Sequence, residues 1–170
     1  LGNFTTLADL LDHWDPRALR LLVLQTHYRH TMEIGADALD GAIAALGRLD
    51  AFTDRVAAAE LPAAPPDTEV VDRFRNAMDD DLSTPTAVAV LFDAVRDANR
   101  ALDDADTSRA GELAAAVETV TGALGLVLGR AHRPGRSHED AAEVEGLVAA
   151  RDAAREAGDY GEADRIRAEL

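Results

Sequence analysis

Apolar residues recur every three or four positions along most of this chain, and no alternating run reaches the length of a strand. A short helix is expected from a cap at Thr5 or Thr6 to about Trp14. Asp15 then caps a second helix with Pro16 at its first position, where the missing N–H is no loss. Ala18, Leu19, Leu21, Leu22 and Leu24 nearly encircle this helix, which predicts deep burial. A third helix is expected from about Ala36 to Ala59, its stripe formed by Leu39, Ile43, Leu46, Leu49, Phe52 and Val56. The stretch LPAAPP, Leu61 to Pro66, breaks that pattern and reads as a surface connection.

A fourth helix covers about Thr68 to Met78 and is ended by Asp79-Asp80-Asp81. Thr84, just ahead of Pro85, is the expected N-cap of the next helix, which reaches Leu102 through Val88, Leu91, Phe92 and Val95. A further helix places Leu113, Val117, Val120, Leu124 and Val127 on one face. After a Pro- and Gly-containing stretch, Glu139 to Ala157 and Tyr160 to Leu170 read as a helical hairpin hinged at Gly158-Asp159. The fold class is therefore all-α. A stem segment covers 1–30, a helical bundle 31–129, a basic linker 130–138 and a hairpin arm 139–170.

Composition narrows this picture. A chain of 170 residues suits one domain with an appendage, and its 47 % hydrophobic content is rich in alanine and only 4 % aromatic, which favours closely packed helices. No stretch approaches the length of a membrane span, and no signal peptide opens the chain. Cysteine is absent, so no disulfide or thiolate metal site can form, and the cytoplasm is the expected compartment. Net charge is −15 and all seventeen basic residues are arginine, so the overall field repels nucleic acid at long range. Against that background RAHRPGRSH carries Arg130, Arg133 and Arg136 with two histidines and no acid, a local candidate for phosphate contact.

No nucleophile–base pair, Gly-rich phosphate loop or metalloprotease helix is present, so no catalytic residue is assigned. His27 and His30 stand three apart but lack a third ligand, and no metal site is assigned either. Asp79 to Asp81 read as a helix end and not as a cation site. Arg17, Arg20 and Arg29 invite a phosphate-binding reading. Arg20 follows a buried Leu and is read as held in an internal salt bridge. For Arg17 and Arg29 two roles stand open, a nucleic-acid backbone contact or an internal salt bridge, with Asp15 or an acid of the next helix as partner. On the hairpin, Arg155 and Asp164 are either base contacts or ordinary charges paired across it.

Three blocks carry a resemblance. Asp15-Pro16-Arg17-Ala18-Leu19-Arg20 looks like the D-x-x-A-L-R signature of one family of anticodon-binding domains, and His27-Tyr28-Arg29 follows it directly. Phe74 to Pro85, then Ala89-Val90-Leu91-Phe92, matches a run F-x-x-A-M-D-D-D-F-N-T-P with Leu82 and Ser83 in place of Phe and Asn. Arg151 to Arg167 matches an arm motif, with Gly158 where Lys is usual. In this order, the blocks resemble cysteinyl-tRNA synthetases of class I, from just after the KMSKS loop onward.

The resemblance implies a DALR-type helical bundle that binds tRNA(Cys) and reads its GCA anticodon without taking part in catalysis. Arg155 and Asp164 would contact bases and Tyr160 would pin the hairpin, while Arg17, Arg29, Arg130, Arg133 and Arg136 are the candidates for the tRNA backbone. ATP and a zinc ion held by Cys and His are expected in a catalytic domain ahead of Leu1, a further partner of this otherwise monomeric part. Three alternatives stand beside it. One is the mycothiol-pathway cysteine ligase, which typically lacks the arm. The others are a free-standing helical RNA- or protein-binding module and a purely structural acidic bundle.

Overall fold

A computed structural model of the chain describes residues 14–32 and 34–129, together with the single positions 7, 11, 150, 161 and 165. Among the described residues five helices and no strand are present, so the all-α expectation holds. They are α1 (Pro16–Leu24), α2 (Ala36–Ala58), α3 (Thr68–Asp79), α4 (Thr84–Asp103) and α5 (Thr107–Ala123). The chain divides into two units, Leu1–His132 and Arg133–Leu170, and all five helices belong to the first. The expected hairpin over 139–170, with Arg155, Tyr160 and Asp164, lies outside the described residues, as do Arg130, Arg133 and Arg136 and most of the helix expected before Trp14.

Carboxylate caps start three of the helices. The Arg17 N–H donates to Asp15 at 2.8 Å, the Val70 N–H to Asp67 at 2.8 Å and the Arg109 N–H to Asp106 at 3.0 Å. The start of α4 differs from the expectation: its N-cap is Ser83, and Thr84 is already helical. The cause is the turn before it. Asp81 and Leu82 both take positive φ, 54° and 52°, and the Ser83 N–H then donates back to the Ala77 carbonyl at 3.0 Å. That reversal brings the helical backbone in one residue early.

A second correction concerns Val127, which is 69 % exposed and not on the face of α5. Gly125, at φ +65°, ends the helix in a left-handed turn. The Leu126 N–H reaches the Thr121 carbonyl at 2.8 Å and the Gly125 N–H the Gly122 carbonyl at 3.1 Å, the two bonds of a Schellman motif. Leu126 is thereby turned into the core and Val127 away from it. On α2, Ile43 is 39 % exposed, and Ala42 and Ala45 take its expected place in the core. Small residues let α1 and α2 approach closely there, so the buried stripe is set by alanines as much as by large side chains.

One hydrophobic core joins all five helices. Leu21 of α1, Leu49 of α2, Leu91 of α4, and Leu113 and Val120 of α5 are fully buried in it, and Val70 of α3 closes it from the side. Helices α4 and α5 form the most extensive pair, α3 leans on both, and α1 packs mainly on α2. The stem helix α1 therefore shares the core of the bundle instead of standing apart from it. No helix of the described residues is long and apolar enough to cross a membrane.

Candidate nucleic-acid interface

Arginine placement decides what this unit offers to a polyanion. Arg17 sits in the first turn of α1 with its side chain 11 % exposed. Its Nη2 and Nε donate to the Asp15 carboxylate at 2.8 and 3.2 Å, and its Nη1 and Nη2 to Asp50 of α2 at 3.0 and 3.1 Å. Nη1 also reaches the carbonyls of Val127 at 3.2 Å and Gly129 at 2.9 Å. Burial alone would lower the Arg17 pKa, but the bonds to Asp15 and Asp50 outweigh it and the guanidinium is held more firmly charged than usual. The group is aimed inward and its fork is taken up. Of the two roles open to it, the geometry is that of an internal salt bridge.

Asp50 completes that hub, because its Oδ1 also accepts the Gly129 N–H at 2.8 Å. Three stretches distant in sequence, the start of α1, the middle of α2 and the segment after α5, meet on one carboxylate. Arg20 corrects the expectation of an internal salt bridge: it is exposed, and its Nη1 donates to the Gly125 carbonyl at 2.6 Å, in the Schellman turn, and not to an acid.

Arg29 is placed differently. The His27-Tyr28-Arg29 element follows α1 and folds against the turn between α3 and α4, where Asp81 accepts from Tyr28 Oη at 2.6 Å and from Arg29 Nη2 at 3.0 Å. His27 Nε2 lies 3.8 Å from the same carboxylate, and its ring stacks on Tyr28 with centroids 4.8 Å apart. Two separate motifs of the sequence, the H-Y-R element and the Asp run, thus form one cluster. Arg29 is 65 % exposed, so its guanidinium keeps donors free toward solvent. Beside it His27, His30, Ser83 and Pro85 border a shallow concavity of about 540 Å3. His27 and His30 have rings 5.7 Å apart, but among the described residues no three His, Cys, Asp or Glu side chains converge as a metal site would require.

Sequence reasoning missed two further features. Asp67 caps α3 and also pairs with Arg109 of α5, which holds Glu112 at 3.2 Å as well. Burial pushes the Asp67 pKa up, yet the Val70 N–H and the Arg109 guanidinium overcome this and hold it below its ordinary 3.8. Asp93 of α4 is likewise lowered, chiefly by Arg73 of α3 at 3.0 Å and also by Arg96. Carboxylates thus tie α3 to both of its neighbours, a pairing that helical periodicity does not reveal.

Comparison with known proteins bears on the whole chain. Residues 73–129, from within α3 to just past α5, match the DALR domain family. All of the chain aligns with the cysteine–tRNA ligase of Halorhodospira halophila at 42 % identity over 174 residues, and with that of Stutzerimonas stutzeri at 41 % over 178. The cysteine–tRNA ligase of Clavibacter michiganensis aligns at 43 % over 185 residues, again across the whole chain. The chain spans only 37 to 38 % of the length of these relatives.

Proposed function

We propose that the chain is the C-terminal part of a cysteine–tRNA ligase, whose relatives it matches along its whole length, and that it binds the tRNA and reads its anticodon. The observation that carries this reading is the alignment of the whole chain at about 42 % identity, within which the DALR-family match falls on α3, α4 and α5. In the parent ligase, cysteine is activated with ATP and transferred to tRNA(Cys). These residues contribute affinity and discrimination to that reaction.

Arg155 and Asp164 are the proposed base contacts, with Tyr160 holding the hairpin that presents them. Arginine can pair two-pronged with an acceptor edge or stack on a base, and aspartate accepts from an exocyclic amine, the chemistry a GCA anticodon offers. Arg29, Arg130, Arg133 and Arg136 are proposed to meet backbone phosphates. Arg17 is left out of that set, because its donors are spent on Asp15, Asp50 and two carbonyls. ATP and zinc are assigned to the catalytic part of a cytoplasmic, monomeric ligase. The residues here do not fit a zinc ion, with no cysteine in the sequence and no converging ligand set among the described residues.

Charging of cysteine tRNA by the whole ligase tests the reading. Arg155→Ala or Asp164→Ala should raise KM for tRNA about tenfold or more, since one good base contact is worth ~1–3 kcal/mol. An unchanged KM for both variants removes the assignment.

A further inference from the structure

Helices α2 and α4 meet at few points, and between them runs a groove of about 530 Å3. Its walls carry Arg48 and Arg55 from α2 and Arg96 and Asn99 from α4, above an apolar floor of Phe52 and Phe92. Among the described residues no carboxylate lines it. In a chain with 32 acidic and 17 basic residues, three arginines therefore share one groove, with aspartates pairing two of them from outside its lining.

The three guanidiniums differ in how they are held. Arg55 donates to Asn99 Oδ1 at 2.8 Å and pairs with Asp103 beyond the groove. Arg96 pairs with Asp93 at 3.0 Å, a carboxylate already shared with Arg73, and is 66 % exposed. Arg48 lies over the Phe92 ring, 5.5 Å from its centroid, and among the described residues no carboxylate pairs with it. The ring contact holds the guanidinium in place without a carboxylate partner, and a guanidinium fork matches a two-pronged oxyanion. Arg48 and Arg55 are seven residues apart on α2, two turns or about 10 Å along the axis, so they stand along one side of the groove.

We propose that this α2–α4 groove is a docking surface for the ribose–phosphate backbone of RNA, with Arg48 and Arg96 as its phosphate contacts. Charge complementarity favours a polyanion over a neutral partner, and the apolar floor of Phe52 and Phe92 closes the groove beneath the arginines. Arg55 is a positioning residue, fixed to Asn99 and Asp103 so that the groove keeps its width. The surface lies within the first unit. The inference rests on the tRNA-binding reading, and its test separates the two.

The experiment measures binding of an unmodified cysteine tRNA transcript to the whole ligase across a salt series. The variants are Arg48→Gln combined with Arg96→Gln, Arg48→Lys alone, and Arg75→Gln as an exposed control on α3 whose pair is Asp72. The double variant should raise Kd about tenfold at low salt and reduce the slope of log K against log salt by about 1.5 to 2, one released counterion per lost contact. Arg48→Lys keeps the charge, so it should keep the slope while losing part of the affinity. The control should match the parent. A double variant that binds with the parent's Kd and slope overturns the groove, as does an equal loss in Arg75→Gln. A parent ligase that does not bind the transcript refutes the tRNA reading and the groove together.

Discussion

Replacing Arg17 by Met removes a guanidinium that joins three stretches of the first unit while keeping most of the side chain's length. Asp15 retains its capping bond from the Arg17 N–H, so α1 still has its start. Asp50 fares worse. It is 19 % exposed, loses both of its bonds from Arg17, and is left with the Gly129 N–H. The Val127 and Gly129 carbonyls lose a donor as well. Removing one partner of a mostly buried pair costs ~3 kcal/mol, more than the pair contributes net, because the remaining charge stays desolvated. For a chain of this size each kcal/mol lowers Tm by roughly 2–4 °C, so the melt followed by circular dichroism should fall by about 6–12 °C. Arg17→Met with Asp50→Asn should cost less than the sum of the two single changes, by at least ~1 kcal/mol, since the stranded charge is gone. An unchanged Tm, together with weaker tRNA binding and a shallower salt slope, would refute this reasoning and make Arg17 a phosphate ligand.

Three other substitutions probe separate features. Asp67→Ala removes the cap of α3 and the partner of Arg109 together, and should destabilise by ~1–2 kcal/mol in urea unfolding. Asp67 has a folded pKa below its unfolded one, so its contribution is complete above about pH 4 and is lost as pH falls through the folded value. The gap between parent and variant should therefore hold steady from pH 7 to 5 and close in stronger acid; a gap as wide at pH 2 contradicts the pairing. Gly125→Ala forces a side chain onto φ +65°, with its Cβ against Arg20 Nη1, and should cost ~1–2 kcal/mol as Arg20 swings away from the turn; a neutral melt would show the turn to be unstrained. Asp81→Asn removes the acid from an exposed cluster, and its stability change should stay within ~1 kcal/mol because surface pairs contribute little. If Arg29 meets a phosphate, the same change should tighten tRNA binding severalfold, and weaker binding would contradict that role.

Four of the five helices are announced twice, by an apolar stripe and by a carboxylate or hydroxyl ahead of it, while α2 follows Gly35 and is announced by its stripe alone. Asp15-Pro16 and the stripe of α2 from Leu39 to Val56, Ile43 apart, are where the pattern places them. Two of the misjudged positions share a cause, a local left-handed turn of the backbone. Thr84 lost the cap because Asp81 and Leu82 turn left-handed, and Val127 left its face because Gly125 stops α5 two residues before it. Ile43 gave way to Ala42 and Ala45 because helix approach distance is invisible to periodicity. At the candidate interface the limit was similar. An arginine reads the same in sequence whether it meets a phosphate or a carboxylate on the next helix. Arg17 and Arg29 stood equal there, and only the position of Asp50 and the exposure of Arg29 separate them. The groove residues Arg48 and Arg96 lie on different helices at unremarkable spacings, so no motif joins them.

Binding of the whole ligase to cysteine tRNA transcripts with the native and an altered anticodon, at matched salt, tests the central claim most directly. The account predicts a Kd at least about tenfold higher for the altered transcript, in line with the loss of one or two base contacts. It also predicts that this difference disappears in the Arg155→Ala, Asp164→Ala double variant. Equal affinity for both transcripts in the parent ligase would contradict anticodon reading by this chain.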